Sequence, residues 1–296
     1  MSDAVVVGVD GSASGLNAVA VAAREAHLRA APLRIVHACD RPPPFLPPGA
    51  EPWPPLDPVL EPMVQGVLAR AEERAYEAAP DIDVFRSVVT GEPLEVLEVE
   101  SRSAALAVVG GRGQSAFAGL LLGSTAVQLA AHGRCPLMVV RGRPAPDGPV
   151  LLAVDGSPAG EAAVEFALTE AALRDVPLVA LHVWNTWSAR AQESPGDPPL
   201  AVVSDVDHLR DVEQRLLDET VARHRPNRPN PPQVAVERRL VRSRIRPALI
   251  DASREAQLMV VGARGRGGFT GLLLGSVGQA LLHHAHCPVT VVRGKE

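Results

Sequence analysis

Several things are scarce in this 296-residue chain, and each scarcity removes a class of function. Cysteine occurs three times, as Cys39, Cys135 and Cys287. An odd number without metal-ligand spacing supports neither a disulfide framework nor a zinc site. No apolar run approaches the roughly 18 residues that a membrane span requires. A strand-like segment from Ala4 to Val9 follows the first residues directly, without a basic stretch and long apolar segment, so a secretory signal is not expected and the cytoplasm is the expected compartment. The formal net charge of -5 gives no bulk attraction to nucleic acid or to an anionic membrane surface. Standard catalytic signatures are missing too. Gly294-Lys295 lacks the strand-loop context of a Gly-x4-Gly-Lys phosphate loop, and neither a nucleophile elbow nor a Cys-His arrangement stands out.

What is present is a repeat. Gly110-Gly111-Arg112-Gly113, nine residues, then Gly123-Ser124 recurs as Gly262-Ala263-Arg264-Gly265, nine residues, then Gly275-Ser276. Each copy follows a short apolar run (Leu106 to Val109, Leu258 to Val261) and leads through a helical stretch to Cys135-Pro136 or Cys287-Pro288. A glycine loop between a strand and a helix suits phosphate, because backbone N–H groups can close around an anion without interference from Cβ atoms.

The repeat extends further. Val5-Val6-Val7-Gly8-Val9-Asp10-Gly11-Ser12 pairs with Val150-Leu151-Leu152-Ala153-Val154-Asp155-Gly156-Ser157, and the match runs without a gap to His37 and His182. The glycine segments align from Leu106 to Gly142 against Leu258 to Gly294. The seam is rich in proline and glycine, so the chain reads as one domain over residues 1–142, a linker over 143–149 and a second domain over 150–296. A hydrophobic fraction of 46% and a charged fraction of 21% suit two globular domains of ordinary size, each with its own core.

Within each copy, strand and helix signals alternate. In the first, strands are expected over 4–9, 33–38, 82–89, 106–109 and 137–141, with helices over 15–30, 61–79, 93–103 and 124–132. Strands with little apolar/polar alternation, separated by helices, imply a parallel sheet buried on both faces, hence two tandem doubly wound α/β sandwiches of five strands each. The last strand of each copy should lie at a sheet edge, a natural pairing surface. Proline-crowded segments, Asp40 to Pro62 with Phe45 and Trp53 and about Asn185 to Pro199 with Trp187, read as exposed loops, either a lid or a plain connection.

Ligands of open α/β sheets collect beyond the carboxyl ends of the strands, where the strand order reverses. Asp10 and Asp155 stand at that end of each first strand, and the glycine loops at that end of each fourth. If those strands are neighbours, a carboxylate and an anion-binding loop share one crevice. A helix beginning at Ser124 or Ser276 adds its N-terminal dipole and a hydroxyl. The bland alternatives are a helix-capping or turn aspartate and a tight connection without a ligand.

The Asp-Gly-Ser strand end, the Gly-x2-Gly-x9-Gly-Ser loop and the Cys-Pro strand together resemble the ATP-binding branch of the universal stress proteins, in the tandem form common in actinobacteria. That resemblance implies an adenine nucleotide alpha hydrolase-like sandwich, one ATP per domain accompanied by Mg2+, and a stress-response regulator whose two halves are expected to pair within the chain through their last strands, 137–141 and 289–293, with a further homodimer. It implies that Asp10 and Asp155 touch the adenosine moiety, and that Val9, Ala38, Val154 and Val183 line the adenine pockets. Gly110, Gly113, Gly123 and Ser124 would wrap the ribose and phosphates in the first half, and Gly262, Gly265, Gly275 and Ser276 in the second. Arg112 and Arg264 could offset phosphate charge or simply be solvated on a turn.

The copies differ from each other. Gln114-Ser115-Ala116 stands opposite Arg266-Gly267-Gly268, and Gly91-Glu92-Pro93 opposite Ile245-Arg246-Pro247. Unequal sites are therefore expected, the second better suited to phosphate. Lysine, usual in phosphoryl-transfer sites, is missing from both pockets, so the nucleotide is expected to be held rather than turned over, with at most slow hydrolysis. A true ATP-using enzyme and a dimerisation module without nucleotide are the competing readings. His37 and His182 read as ends of buried strands rather than metal ligands. His283, His284 and His286 read as surface or packing residues, and Leu120 to Leu122 and Leu272 to Leu274 as loop residues packed on their own domains.

Overall fold

A computed structural model describes residues 4–39, 60–113, 122–157, 160–186, 206–223, 234–265 and 274–294. The chain divides into two compact units, Met1–Val140 and Arg141–Glu296.

The first unit holds β1 (Ala4–Gly8), α1 (Ala13–Leu28), β2 (Leu33–Cys39), α2 (Leu60–Ala78), β3 (Val84–Thr90), α3 (Pro93–Ser101), β4 (Ala104–Gly110), α4 (Ser124–His132) and β5 (Leu137–Val140). All its strand pairings are parallel, in the order β3-β2-β1-β4-β5. The second holds β6 (Val150–Val154), α5 (Glu161–Arg174), β7 (Leu178–Trp184), α6 (Val206–Arg223), β8 (Val236–Arg242), α7 (Ile245–Ala252), β9 (Leu258–Gly262), α8 (Ser276–His284) and β10 (Val289–Val292). Its order, β10-β9-β6-β7-β8, is the same topology, again parallel throughout. Two doubly wound α/β units of five parallel strands are what the alternating pattern calls for.

The central strands are buried along nearly their whole length, as Val5, Val7, Leu106, Val108, Val150 and Val260 show. They can therefore be uniformly apolar. The flanking strands β3 and β8 are half exposed and carry arginine instead. Crossovers from β1 through β2 to β3 run one way along the sheet, and those from β3 through β4 to β5 run the other. Right-handed connections then set α1 and α2 on one face and α3 and α4 on the other. In keeping with this, α1 packs on α2 and α3 on α4. The reversal of direction falls between β1 and β4, and in the second unit between β6 and β9.

Alanine allows the first helix to lie close over that junction: Ala18, Ala22, Ala23 and Ala26 of α1 are fully buried against the sheet. The Ser12 hydroxyl accepts from the Gly15 N–H at 3.0 Å and caps the helix start. Near its end, buried Glu25 pairs with Arg29 one turn later, and Glu170 with Arg174 repeats this on α5. Helix α2 begins at Leu60, inside the proline-rich segment expected to be irregular up to Pro62. Residues 143–149 are bonded to the second unit, the Arg143 N–H to the His286 carbonyl at 2.8 Å and the Ala145 N–H to the Ala256 carbonyl at 3.1 Å. Gly142 (φ +58°) makes that entry possible, because a Cβ there would overlap the His286 carbonyl. Among the described residues no helix is long and apolar enough to cross a membrane.

Candidate functional site

Strand β1 pairs with β4, and β6 with β9, so Asp10 and Asp155 share a crevice with the glycine loops as the strand-order argument requires. Asp10 leaves β1 two residues beyond Gly8, and its Oδ1 accepts from the Ser12 N–H at 3.0 Å. Asp155 repeats the turn, its Oδ1 accepting from the Ser157 N–H at 2.9 Å. These bonds swing the second carboxylate oxygen toward the loop. A Cβ added at Gly113 would lie 3.0 Å from Asp10 Oδ2, and one at Gly265 would overlap Asp155 Oδ2. Both loop positions therefore need glycine for close approach of a carboxylate. The aspartates are turn residues, each bonded to the N–H two positions on, and they also lie against the loops.

The loops close on themselves through main-chain bonds. The Gly123 N–H donates to the Gly111 carbonyl at 3.0 Å, and the Gly275 N–H to the Ala263 carbonyl at 2.8 Å. This holds the second glycine segment against the first, with Gly123 and Gly275 as N-caps of α4 and α8. Among the described residues neither helix start has a side-chain cap, and the first N–H groups of a helix have no intrahelical acceptor, so those around Ser124 and Ser276 carry the positive end of the helix dipole. Gly110 and Gly262 end strands β4 and β9 at its floor. A Cβ at Gly110 would come within 2.8 Å of the Ser14 main chain, so the start of α1 forms one wall. Val9 and Val154 are buried on the other side of each aspartate, and Val183 is buried on β7, whereas Ala38 on β2 is half-buried. Arg112 and Arg264 are exposed on their loops. All sixteen of these residues thus gather at the carboxyl ends of the central strands, eight in each unit. The contrasting segments 114–116 and 266–268, with Arg266, lie outside the described residues, as do Leu120, Leu121, Leu272, Leu273, Phe45, Trp53 and Trp187; Leu122 and Leu274 are buried.

The crevices differ in two supports that the motif comparison missed. In the first, the Ser14 hydroxyl accepts from the Arg112 N–H at 3.2 Å, whereas the second copy has Ala159 at that place in the sequence. The second difference lies beneath the strand ends. His37 Nδ1 meets the Val9 carbonyl at 2.8 Å, and His182 Nδ1 meets the Val154 carbonyl at 2.7 Å. In the second unit the other ring nitrogen also meets a buried carboxylate, Glu213 Oε2 of α6, at 2.7 Å, a bond without a counterpart at His37 among the described residues. A carbonyl can only accept, so His182 Nδ1 donates to Val154 and leaves Nε2 facing the Glu213 carboxyl. Glu213 was detectable in principle: it interrupts a buried helical stripe with Leu217 and Thr220, whose spacing matches Val64, Leu68 and Ala71 on α2.

The remaining candidates are structural. Cys287 is fully buried and Cys135 half-buried; burial pushes both thiols up to about 12, leaving almost no thiolate. His283 and His284 lie with ring centroids 6.0 Å apart at the end of α8. Among the described residues no group of three or more His, Cys, Asp or Glu converges to hold a metal ion.

Known proteins support the same architecture. A family model described as the universal stress protein family matches residues 1–141 and 148–293. The chain is 36% identical over 302 residues to a universal stress protein of Mycobacterium tuberculosis strain H37Rv, covering 98% of this chain and 96% of that one. It is 37% identical over 308 residues, with the same coverage, to one from Mycolicibacterium smegmatis. Among solved structures, a universal stress protein from Archaeoglobus fulgidus superposes with a TM-score of 0.65 over 99% of both chains at 18% identity, a likeness of fold.

Proposed function

The chain belongs to the universal stress protein family, and we propose that it is an ATP-binding, nucleotide-dependent stress-response regulator with one ATP site per domain, residues 1–142 and 150–296 being the two domains. The observation that carries this reading is the approach of Asp10 to Gly113 and of Asp155 to Gly265 at the reversal of strand order. A carboxylate repels phosphate but accepts well from a hydroxyl. Asp10 and Asp155 therefore suit the ribose of a nucleotide whose phosphates lie further along the loop. There the main-chain N–H groups of Gly113, Gly123 and Ser124, or of Gly265, Gly275 and Ser276, supply the positive potential. Gly110 and Gly262 let the chain pass under the sugar, and Arg112 and Arg264 can swing over the phosphates from their exposed positions. Val9 with Ala38, and Val154 with Val183, offer the flat apolar walls that adenine needs.

The residues present fit the nucleotide better than they fit a metal alone. The glycine cradle is a volume that a Cβ would fill, whereas carboxylates do not converge among the described residues. Mg2+ would therefore enter bound to the phosphates, neutralising their charge. On this reading the chain's own residues bind and orient the nucleotide. ATP on this reading stabilises one conformation or assembly in the cytoplasm, a homodimer being the assembly proposed.

Titration of the nucleotide-free full chain with ATP by calorimetry tests the proposal. Two ATP per chain are expected, the second domain binding more tightly, with turnover far below the ~10 per second of an ordinary enzyme. Absence of binding would leave the dimerisation module as the reading, and sustained turnover at that rate would establish an enzyme.

A further inference from the structure

The second unit carries a recess that the nucleotide crevice does not use. Trp184 ends β7 and Arg242 ends β8, and the two are register partners. The Trp184 ring is almost wholly buried, and the Arg242 guanidinium lies over it, 5.7 Å from the ring centroid. Val206, Asp207 and Arg210 from the first turns of α6, together with Leu240 of β8, complete the walls of a space of about 350 Å³. Successive residues of a strand point to opposite faces. His182 reaches Glu213 of α6, so Trp184 points to the same side and Val183 to the other. The recess and the proposed adenine wall are therefore on opposite faces of β7.

Among the described lining residues two are cationic, Arg210 and Arg242, and one is a carboxylate, Asp207. Neither arginine forms an ion pair within 4.0 Å with a described residue. The described walls therefore carry one more positive than negative charge beside apolar surface. At the strand positions that can be compared, the first unit has neither the indole nor the guanidinium. There the corresponding strands begin their pairing at Leu33 and Val84, as β7 and β8 do at Leu178 and Val236. That register places Cys39 and Thr90 where Trp184 and Arg242 stand, and Val88 in place of Leu240.

We propose that this recess is a binding site for a small organic anion. Its carboxylate or phosphate is held between the guanidiniums of Arg242 and Arg210, and its apolar body rests on the half-buried Val206 and Leu240, beside the edge of Trp184 that borders the recess. Guanidinium binds either anion through paired, charge-assisted hydrogen bonds. Arg242 is held for this by its position over the indole. A hydroxyl or amine on the ligand would satisfy Asp207. The volume is at the small end of ligand pockets and suits a single-ring compound. The site is independent of the nucleotide reading, since it shares no residue with either crevice.

The test uses the full chain carrying Trp53→Phe and Trp187→Phe, so that fluorescence reports Trp184, with saturating ATP present to fill the crevices. Phenyl phosphate and benzoate are the probes, with inorganic phosphate and phenol as controls. Saturable fluorescence changes are expected with one or both probes at a Kd on the order of 1 mM, and more weakly by at least tenfold with each control. Arg242→Gln and Arg210→Gln, both exposed side chains, should each weaken probe binding at least tenfold while ATP stoichiometry and the thermal midpoint stay unchanged. The proposal is overturned if neither probe saturates up to about 20 mM, or if binding survives both substitutions. Inorganic phosphate binding as tightly as phenyl phosphate would equally overturn it, since the apolar walls would then play no part.

Discussion

The two histidines that end β2 and β7 make the same bond and live in different surroundings. His37 meets the Val9 carbonyl under an apolar helix face, whereas His182 meets the Val154 carbonyl and also Glu213, which is 1% exposed. The fold tolerates either arrangement because the backbone bond is what positions the strand ends. The ionisable link adds something else. It fastens α6 to the strand that delivers Asp155, through a pair that packs well only while both members are present. Burying such a pair gives little net stability over an apolar match, but removing one partner is costly. The second unit has therefore exchanged a forgiving contact for an all-or-none one, beside a crevice that also lacks the Ser14 tether of the first.

That contrast can be broken at its most sensitive point by blocking one crevice. Gly265→Glu drives a side chain and a negative charge into Asp155, and should reduce ATP stoichiometry from two to one per chain with the far-ultraviolet circular dichroism unchanged. Gly113→Glu should do the same for the first crevice. A Gly265→Glu chain that still binds two ATP would refute the site assignment.

Next comes the His182 link. Glu213→Ala leaves Nε2 buried without its partner and should destabilise the second unit by about 3–5 kcal/mol. Glu213→Leu refills the space and should cost clearly less. Val64→Ala, in the corresponding stripe of α2, removes only methyl groups and should cost about 1–3 kcal/mol. Denaturant unfolding followed for each unit separately measures all three; equal losses for Glu213→Ala and Val64→Ala would erase the distinction between the units.

Asp10→Ala and Asp155→Ala remove a charged acceptor from a ribose hydroxyl. Each should weaken ATP at its own crevice by about 10- to 100-fold, corresponding to about 1.5–3 kcal/mol, readable as one weakened phase in a calorimetric titration. Ser14→Ala is subtler. It makes the first loop resemble the second, where Ala159 stands, and should shift first-site affinity by about 1 kcal/mol or less.

The two copies should be least distinguishable at Cys135 and Cys287, whose thiols are both pushed up to about 12 by burial. At pH 8 only about one thiol in ten thousand is ionised, so alkylation by iodoacetamide should be slow at both. The rate should climb roughly tenfold per pH unit while the fold holds. Rapid labelling of either at pH 8 in the native protein would contradict its burial.

Most of the architecture was legible in the residues because it depends on local pattern. Uninterrupted runs such as Val5 to Val7 suit strands covered on both faces, and the helix over 124–132 was placed to the residue by Gly123-Ser124 before it and Gly133 after it. Boundaries slipped where the deciding contact is remote. The strand expected from Ile82 starts at Val84, where its pairing to Leu33 begins. Helix α2 starts at Leu60 despite Pro62, because proline is tolerated in a first turn. Of the site, the carboxylate and the glycine loop were legible separately; their approach to hydrogen-bonding range was not, since it depends on β1 lying next to β4.

By itself, the sequence determined the repeat, the parallel α/β class and the positions that must be glycine, since periodicity and the steric demands of Cβ act over a few residues. Only the tertiary structure decided which side chains would meet. Glu213 finds His182 across 31 positions, and Trp184 and Arg242 come together because two strands end in register. Encounters of that kind are set by strand order and helix packing, which bring together residues that no local spacing relates.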